Sequence, residues 1–533
     1  MNPSDGKRIL YAQEALKYVP KLFTLMDRNK FSPTYGCLDR EYWHYRTSDF
    51  PCGMSQEALL TLALLYKYEI PGNIYHQNDR VRELAIAAIN FSMRSSHQDG
   101  TCDEYYPFER AQGAMVFSLY AATEAYLLFN EKNTSFESFF KKRGGWLIHH
   151  SEIGTLANHD AMAALSLLNV YIITKEEVYL RSAQKRLKRV LSLQSEEGWF
   201  QEYEGCDPGY LTWTIDFLAK YFKKTKDQTL LIPLKKAVEF TSYFIHPDGS
   251  FGGEYGSRNS FNFFPCGLEI LGAYFPLATQ ICDQFLEGVQ NGKRAYLDDN
   301  RSFSHHMTNY LQAYLDFFEN RQGTLKRNNF EKYFKEAGLF VAQKTPYYTV
   351  ISLKKGGVVK LFKDNENIYS DLGFIGQLNT GHIAVSHLLS HKKITFSPPL
   401  RVEGSFNKIS YPRMTLVKFL IFRLLLFPAQ FSFLYSKRIR KVLQKILILN
   451  KKNLPLQYRR EFKLEEGLKI IDTIKLSGSL FFTQLSIGTD HTSIYTAISN
   501  GYQESMLKSW INLDPFLSEL RQKKEITLRR HVQ

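Results

Sequence analysis

Residues 246–262 read HPDGSFGGEYGSRNSFN. The pair Asp248-Gly249 is turn chemistry that ends one apolar helix. A polar, aromatic loop follows (Glu254, Tyr255, Arg258, Asn259), and a new helix is expected from near Phe261. The same punctuation stands at Asp99-Gly100 in HQDGTCDEYYPFERA and at Glu197-Gly198 in SEEGWFQEYEGCDPGY. A spacing of about 50 residues, or twice that, is the period of a two-helix repeat. Extending the ruler places further marks at Asp49, at Gly144-Gly145 and at Asp298-Asp299.

Between the marks, apolar residues recur at three and four spacing over 54–68, 81–93, 111–129, 159–173, 179–193, 211–222 and 230–244. Paired helices with their loops at one end make either an open solenoid or a closed α/α toroid. Both helices of each pair carry Leu, Phe and Tyr over much of their surface, which favours closure. In a closed ring the loops converge, and residues distant in sequence become neighbours.

The pattern fades near Lys344, and from Tyr347 the text turns to short alternating runs such as YYTVISLKKGGVVKLFKD and YRREFKLEEGLKIIDTIKL. The expected fold is therefore α+β and multidomain: a toroid of helical hairpins over 1–344, then an antiparallel β-sandwich over 345–533. A helical, basic insertion at about 413–452 interrupts the second domain. Its apolar part, broken by Lys418, Arg423 and Pro428, is too short to span a bilayer. It reads either as a buried helical cap or as a membrane-surface element with Lys437, Arg438, Arg440, Lys441 and Lys445 toward headgroups.

The chain has 533 residues, more than one core usually holds, and its formal charge of +15 favours an anionic partner. The six cysteines show no CxxC spacing, and neither a metal nor a cofactor is expected. P-loop and dinucleotide signatures are missing, Asp298-Asp299-Asn300 does not meet an acidic cyclase motif, and no nucleic-acid module accompanies the charge. The opening stretch MNPSDGKRILYAQEALKYVPKLF has no uninterrupted apolar segment. The expectation is a cytoplasmic protein, peripheral at the inner membrane through residues 414–452 if that insertion is the membrane-surface element and not the buried cap.

Four residues on successive loops form a specific combination: Asn158 and His159 at the head of one helix, Tyr210 at the head of the next, and Arg258 in the loop beyond. Elimination across a uronic acid removes a weakly acidic proton alpha to a carboxylate. That chemistry needs donors or positive charge on the carboxylate (Asn158, Arg258) and a base and an acid (His159, Tyr210). Arg258 beside Tyr210 is expected to lower the phenol's pKa. Substrate contacts are expected from Glu104, Tyr105, Glu202, Tyr203, Asp207, Glu254, Tyr255, Asn259 and His305. A toroid followed by a β-sandwich, with Asn-His on one inner helix, Gly-Tyr on the next and YxxR beyond, resembles the polysaccharide lyases of the heparinase II/III and alginate-lyase type.

That resemblance implies an acidic polysaccharide or oligosaccharide as substrate and β-elimination, or the related C5 epimerisation, as chemistry. It casts Asn158 as carboxylate neutraliser, His159 and Tyr210 as base and acid, and Arg258 as supporting cation. The sequence departs from the resemblance at LNTGHIAVSHLLSH. Gly381-His382 is kept, but Ala384 and Ser386 stand where a GHxHxD pattern has His and Asp. Two other readings stay open. One is a glycoside hydrolase using two of the loop carboxylates; the other is a non-catalytic glycan-binding scaffold of a polysaccharide biosynthesis system.

Overall fold

The computed structural model describes residues 3–533 apart from 152–153, 296–298, 391, 411–412, 445–451, 492, 495–498 and 500. Asp298, His391 and Lys445, which entered the sequence reading, lie outside the described residues.

The chain opens with α1 (Pro3–Leu16) and α2 (Val19–Leu25), followed by α3 (Leu59–Lys67) and α4 (Asp79–Arg94). Three long pairs come next: α5 (Gln112–Phe129) with α6 (Thr134–His149), α7 (Ala157–Thr174) with α8 (Glu177–Leu191), and α9 (Pro208–Thr225) with α10 (Leu231–Thr241). The helical part ends with α11 (Cys266–Leu271), α12 (Pro276–Gln290) and α13 (Phe303–Leu315).

The odd-numbered helices from α3 to α13 pack each on the next, and α13 returns to α3, so the ring closes. Thr61 and Thr308 share a hydroxyl hydrogen bond of 2.9 Å across that closure. On the outside, α1 packs against α12 and α13, and Tyr11 donates to Glu269 Oε1 at 2.9 Å. The two sets of helices differ as their positions require. α5, α7 and α9 are buried nearly all round, whereas α8 buries only Tyr179, Ala183, Arg186, Leu187 and Val190, one stripe at helical spacing.

The repeat marks are one turn used three times. Gly100, Gly198 and Gly249 all have positive φ, and their N–H groups bond the carbonyls of His97, Ser195 and His246. At Gly249 a Cβ would also stand 2.4 Å from the Gln284 carbonyl oxygen, so glycine is required twice over. Gly144-Gly145 is a different feature. Both residues lie inside α6, where a Cβ on Gly144 would come within 2.8 Å of the Tyr179 ring. The glycine there admits α8 and makes no turn.

Strands begin ahead of Tyr347, with β1 (Phe330–Phe334) and β2 (Leu339–Lys344). They continue as β3 (Tyr347–Ser352), β4 (Val358–Lys363), β5 (Glu366–Asp371), β6 (Phe374–Leu378), β7 (Ile383–Val385), β8 (Lys393–Thr395) and β9 (Leu400–Ile409). Helices α14 (Leu416–Leu426) and α15 (Phe433–Gln444) then intervene before β10 (Lys452–Leu464), β11 (Leu468–Lys475), β12 (Phe482–Ile487) and β13 (Ile511–Asn512). A short α16 (Leu517–Lys523) precedes β14 (Glu525–Val532).

Among the described residues the strands make two antiparallel sheets. One runs β1-β2-β3-β4-β5 and the other β13-β12-β6-β7-β9-β10-β11-β14, with β8 paired to β9. The middle strands of the first sheet, β2 to β4, are buried on both faces. Phe340, Ala342, Ile351 and Val359 meet Val402 and Phe462 of the second sheet, while Leu339, Val341, Tyr348 and Val350 pack into the helical core. No helix among the described residues is long and apolar enough to cross a membrane.

Candidate active site

Closing the ring joins the loops of neighbouring repeats directly. Tyr203 N–H bonds the Thr155 carbonyl at 2.7 Å, and Ser257 N–H bonds the Cys206 carbonyl at 2.8 Å. Asp207 is the N-cap of α9, accepting from Tyr210 N–H at 3.1 Å. The same oxygen, Oδ1, also accepts from Ser260 Oγ, and the other one, Oδ2, takes the Arg258 N–H at 2.8 Å. Asp207, expected to touch substrate, is thus the tie that fixes Tyr210 against Arg258.

These ties gather the four singled-out residues. Asn158 sits in the first turn of α7, whose N-cap is Leu156, so its side chain is not used as a cap. Its backbone N–H and Nδ2 both donate to Glu202 Oε1, at 3.1 and 2.8 Å. The Arg258 guanidinium lies over the Tyr203 ring, 3.9 Å from its centroid. Tyr210 packs on Trp213 at 6.2 Å, and His159 stands edge-on to Phe117 at 5.8 Å. Phe117 and Trp213 touch each other and form a shared aromatic floor.

His305 lies on the same floor, 4.8 Å from Phe117 and 4.7 Å from Trp213, with Nδ1 against the Glu57 carboxylate. Glu104 completes this side. A Cβ on Gly113 would approach His159 Cε1 at 3.0 Å and Glu104 Oε2 at 3.8 Å, so glycine is what lets the two meet. Tyr105 is half exposed at the rim, with its hydroxyl facing Glu104 and its ring under Arg301.

Burial dominates the electrostatics. It pushes the Glu202 carboxyl up to about 8, against the pull of the Asn158 hydrogen bonds and of Arg258. Glu104 is likewise pushed up to about 8, first by burial and then by Glu109. Tyr210 moves opposite to the sequence expectation: burial raises its phenol well above the ordinary tyrosine range, and Arg258 offsets only part of that. Tyr210 therefore holds its proton at neutral pH, a state suited to an acid.

Several buried polar atoms here have no hydrogen-bond partner: Asn158 Oδ1, Glu202 Oε2, Arg258 Nε and the Gln112 amide. Buried polar groups are ordinarily satisfied, and these orphans come from four separate segments of the chain.

Three expected contacts lie elsewhere. The Tyr255 ring is 1% exposed, and its hydroxyl meets His246 Nε2 at 2.9 Å. Glu254 pairs with Lys360 of β4 at 3.0 Å, and the Asn259 side-chain oxygen takes Lys355 Nζ. All three brace the helical ring against the first sheet. Glu109 is structural as well: its Oε2 accepts the N–H groups of Glu104 and Tyr105 at 3.1 and 2.8 Å.

No protein-family model and no curated protein matches the sequence; solved structures do. A Paenibacillus xanthan lyase aligns over 91% of this chain and 47% of its own, at 10% identity and TM-score 0.54. The chondroitin AC lyase of Streptomyces coelicolor A3, solved in complex with chondroitin sulphate, aligns over 91% of this chain and 68% of its own, at 9% identity and TM-score 0.57. The fold is that of the α/α-toroid polysaccharide lyases. This chain spans under half the length of the xanthan lyase.

Within this lyase fold, sequence reasoning missed Gln112, Glu57 and the floor residues Phe117 and Trp213. Gln112 had a signal, since it lies in the first turn of α5 as Asn158 lies in the first turn of α7. In the β domain, His387 and not His382 is the buried histidine, its Nδ1 3.4 Å from His491 Nε2. Among the described residues no group of three or more His, Cys, Asp and Glu is placed to hold a metal ion.

Proposed function

We propose that this chain is a lyase of uronate-containing polysaccharide, built on its helical ring and braced by the sandwich. The convergence of orphaned polar atoms from Asn158, Glu202 and Arg258 beside Tyr210 and His159 supports the reading. A uronate carboxylate placed there accepts from the Arg258 guanidinium, from the Asn158 Nδ2 hydrogen not given to Glu202, and from a Glu202 that stays protonated at neutral pH. Glu202 then donates a hydrogen bond to the substrate instead of repelling it.

His159 takes the C5 proton, and the electron pair forms the C4–C5 double bond. The C4–O bond breaks, and the Tyr210 phenol protonates the leaving oxygen. Incubation with uronate polysaccharides should give a product with the far-ultraviolet absorbance of an unsaturated uronate. Reducing ends without that chromophore would mean hydrolysis, inversion at C5 without cleavage would mean epimerisation, and no product at all would leave a binding scaffold.

The protonated Glu202 also ties stability to pH. A carboxyl raised in the folded state stabilises fully below its ordinary value of 4.5, and that contribution is lost as pH rises toward about 8. Across that window each pH unit costs up to about 1.4 kcal/mol. Glu202→Gln should flatten the fall in thermal stability between those limits. An unchanged slope would mean that Glu202 is already ionised.

A further inference from the structure

From Ser405 to Arg460 the chain carries no Asp or Glu, while Lys and Arg recur throughout. The middle of that stretch folds back over the loop end of the helical ring. α15 is anchored there: Ser436 Oγ donates to the carbonyls of Phe108 and Glu109 at 2.8 and 3.1 Å, and Phe433 packs on Trp146 and His150. α14 is held only near its end, by Arg423 on Asp49 at 2.8 Å, Phe422 on Tyr106 and the buried Leu426.

The other apolar side chains of α14 are exposed. Leu416 and Leu424 are each 74% exposed, and Val417, Leu420, Ile421 and Leu425 are exposed with them. A continuous apolar surface of this kind is rare on a protein that meets only water.

We propose that α14 inserts into one leaflet of an anionic bilayer, with basic residues around it at the headgroups. The charge favours this occupant: Arg413 and Lys418 at the start of the apolar helix and Arg438 and Lys441 on α15 are all exposed, and the whole protein carries +15. Length agrees as well. Eleven residues of helix make about 16 Å, too short for a hydrocarbon core of about 30 Å but enough for one leaflet. Lys418 reaches the interface along its own aliphatic stem.

The contact differs from the sequence expectation in one respect. Arg440 turns inward to Glu109, at 3.8 Å, and is part of the anchor. Because α15 grips the loop that carries Glu104 and Tyr105, a docked bilayer lies at the same end of the ring as the polar cluster. The proposal does not rest on the lyase reading, and its test reads binding alone.

The full-length protein should co-sediment with phosphatidylcholine vesicles containing phosphatidylglycerol and much less with pure phosphatidylcholine. Neutralising Arg438→Gln with Lys441→Gln should weaken partition by about tenfold or more. Leu416→Glu with Leu420→Glu should abolish it, with the thermal midpoint unchanged because both residues are solvent-exposed. Absence of binding to either vesicle, equal binding to both, or binding that survives both double variants would overturn the proposal. So would a concentration-dependent dimer in sedimentation velocity that the Leu416→Glu and Leu420→Glu pair dissolves, since a second copy would then cover the face.

Discussion

Tyr210→Phe should lower the rate of unsaturated-uronate formation by about 10²–10⁴, the usual worth of a positioned proton-transfer group. The substitution removes one hydroxyl and leaves the ring, so its packing on Trp213 and the Asp207 cap on its backbone N–H are kept. Asn158, Glu202 and Arg258 are untouched, and the substrate carboxylate keeps its partners. The loss should therefore fall on kcat with KM nearly constant, and thermal unfolding should match the parent. A loss of less than tenfold would remove Tyr210 from proton transfer and pass the acid role to Glu104, which burial pushes up to about 8, as it does Glu202.

The residues in this argument differ in how readable they were. Asn158, Tyr210 and Arg258 are singled out by their place in a repeat, because a closed ring turns equal phase into proximity. The turns at Asp99-Gly100, Glu197-Gly198 and Asp248-Gly249 carried the phase, and each forms the same bend. Tyr255 shares that phase with no less right, yet its ring goes to the seam with His246. Phase tells which end of the ring a residue occupies, not which wall its side chain faces. Tyr210's pKa was misjudged for a related reason: the sequence displays the neighbouring Arg258 but not the burial that outweighs it.

Strand β2 escaped notice because alternation is a surface signal. β2 is buried on both faces over most of its length, so its residues need not alternate in polarity. Gly144-Gly145 misled in the opposite sense, since a glycine that permits two helices to touch is written with the same letter as one that turns the chain. The apolar run at α14 was plain in the sequence. That it stands in the open, and is not folded into a core, is known only from the structure.

Arg460→Met should cost about 3–5 kcal/mol of folding stability, the range found when one partner of a buried ion pair is removed. Arg460 on β10 is fully buried and donates to Asp472 Oδ1 of β11 at 2.8 Å, to the Gly357 carbonyl at 2.9 Å, and to both oxygens of Asp371 at 2.9 and 2.5 Å. It therefore clasps the end of β5 and the β3–β4 turn in one sheet to two strands of the other. Burial alone would raise the Asp371 carboxyl, but Arg460 and Arg530 overcome it and hold the group well below the ordinary carboxylate range. Its contribution is then present above the unfolded carboxylate pKa and lost only in strong acid.

Without Arg460 the balance reverses. Asp371 keeps one cation, Arg530 of the partly exposed edge strand β14 at 3.0 Å, with the neutral Gly373 N–H and Tyr369 hydroxyl at 2.8 and 3.0 Å, and its pKa should rise above the unfolded value. The variant's deficit should accordingly be smaller near pH 5 than at neutral pH, where the buried carboxylates must stay charged. Thermal melts at the two pH values check the sign. Adding Asp371→Asn and Asp472→Asn to Arg460→Met should recover part of the loss, since the penalty lies in uncompensated charge more than in missing attraction. If the triple variant is no more stable than Arg460→Met alone, the clasp works through its packing against Phe374 and Phe462, and the electrostatic account of the sheet-to-sheet junction fails.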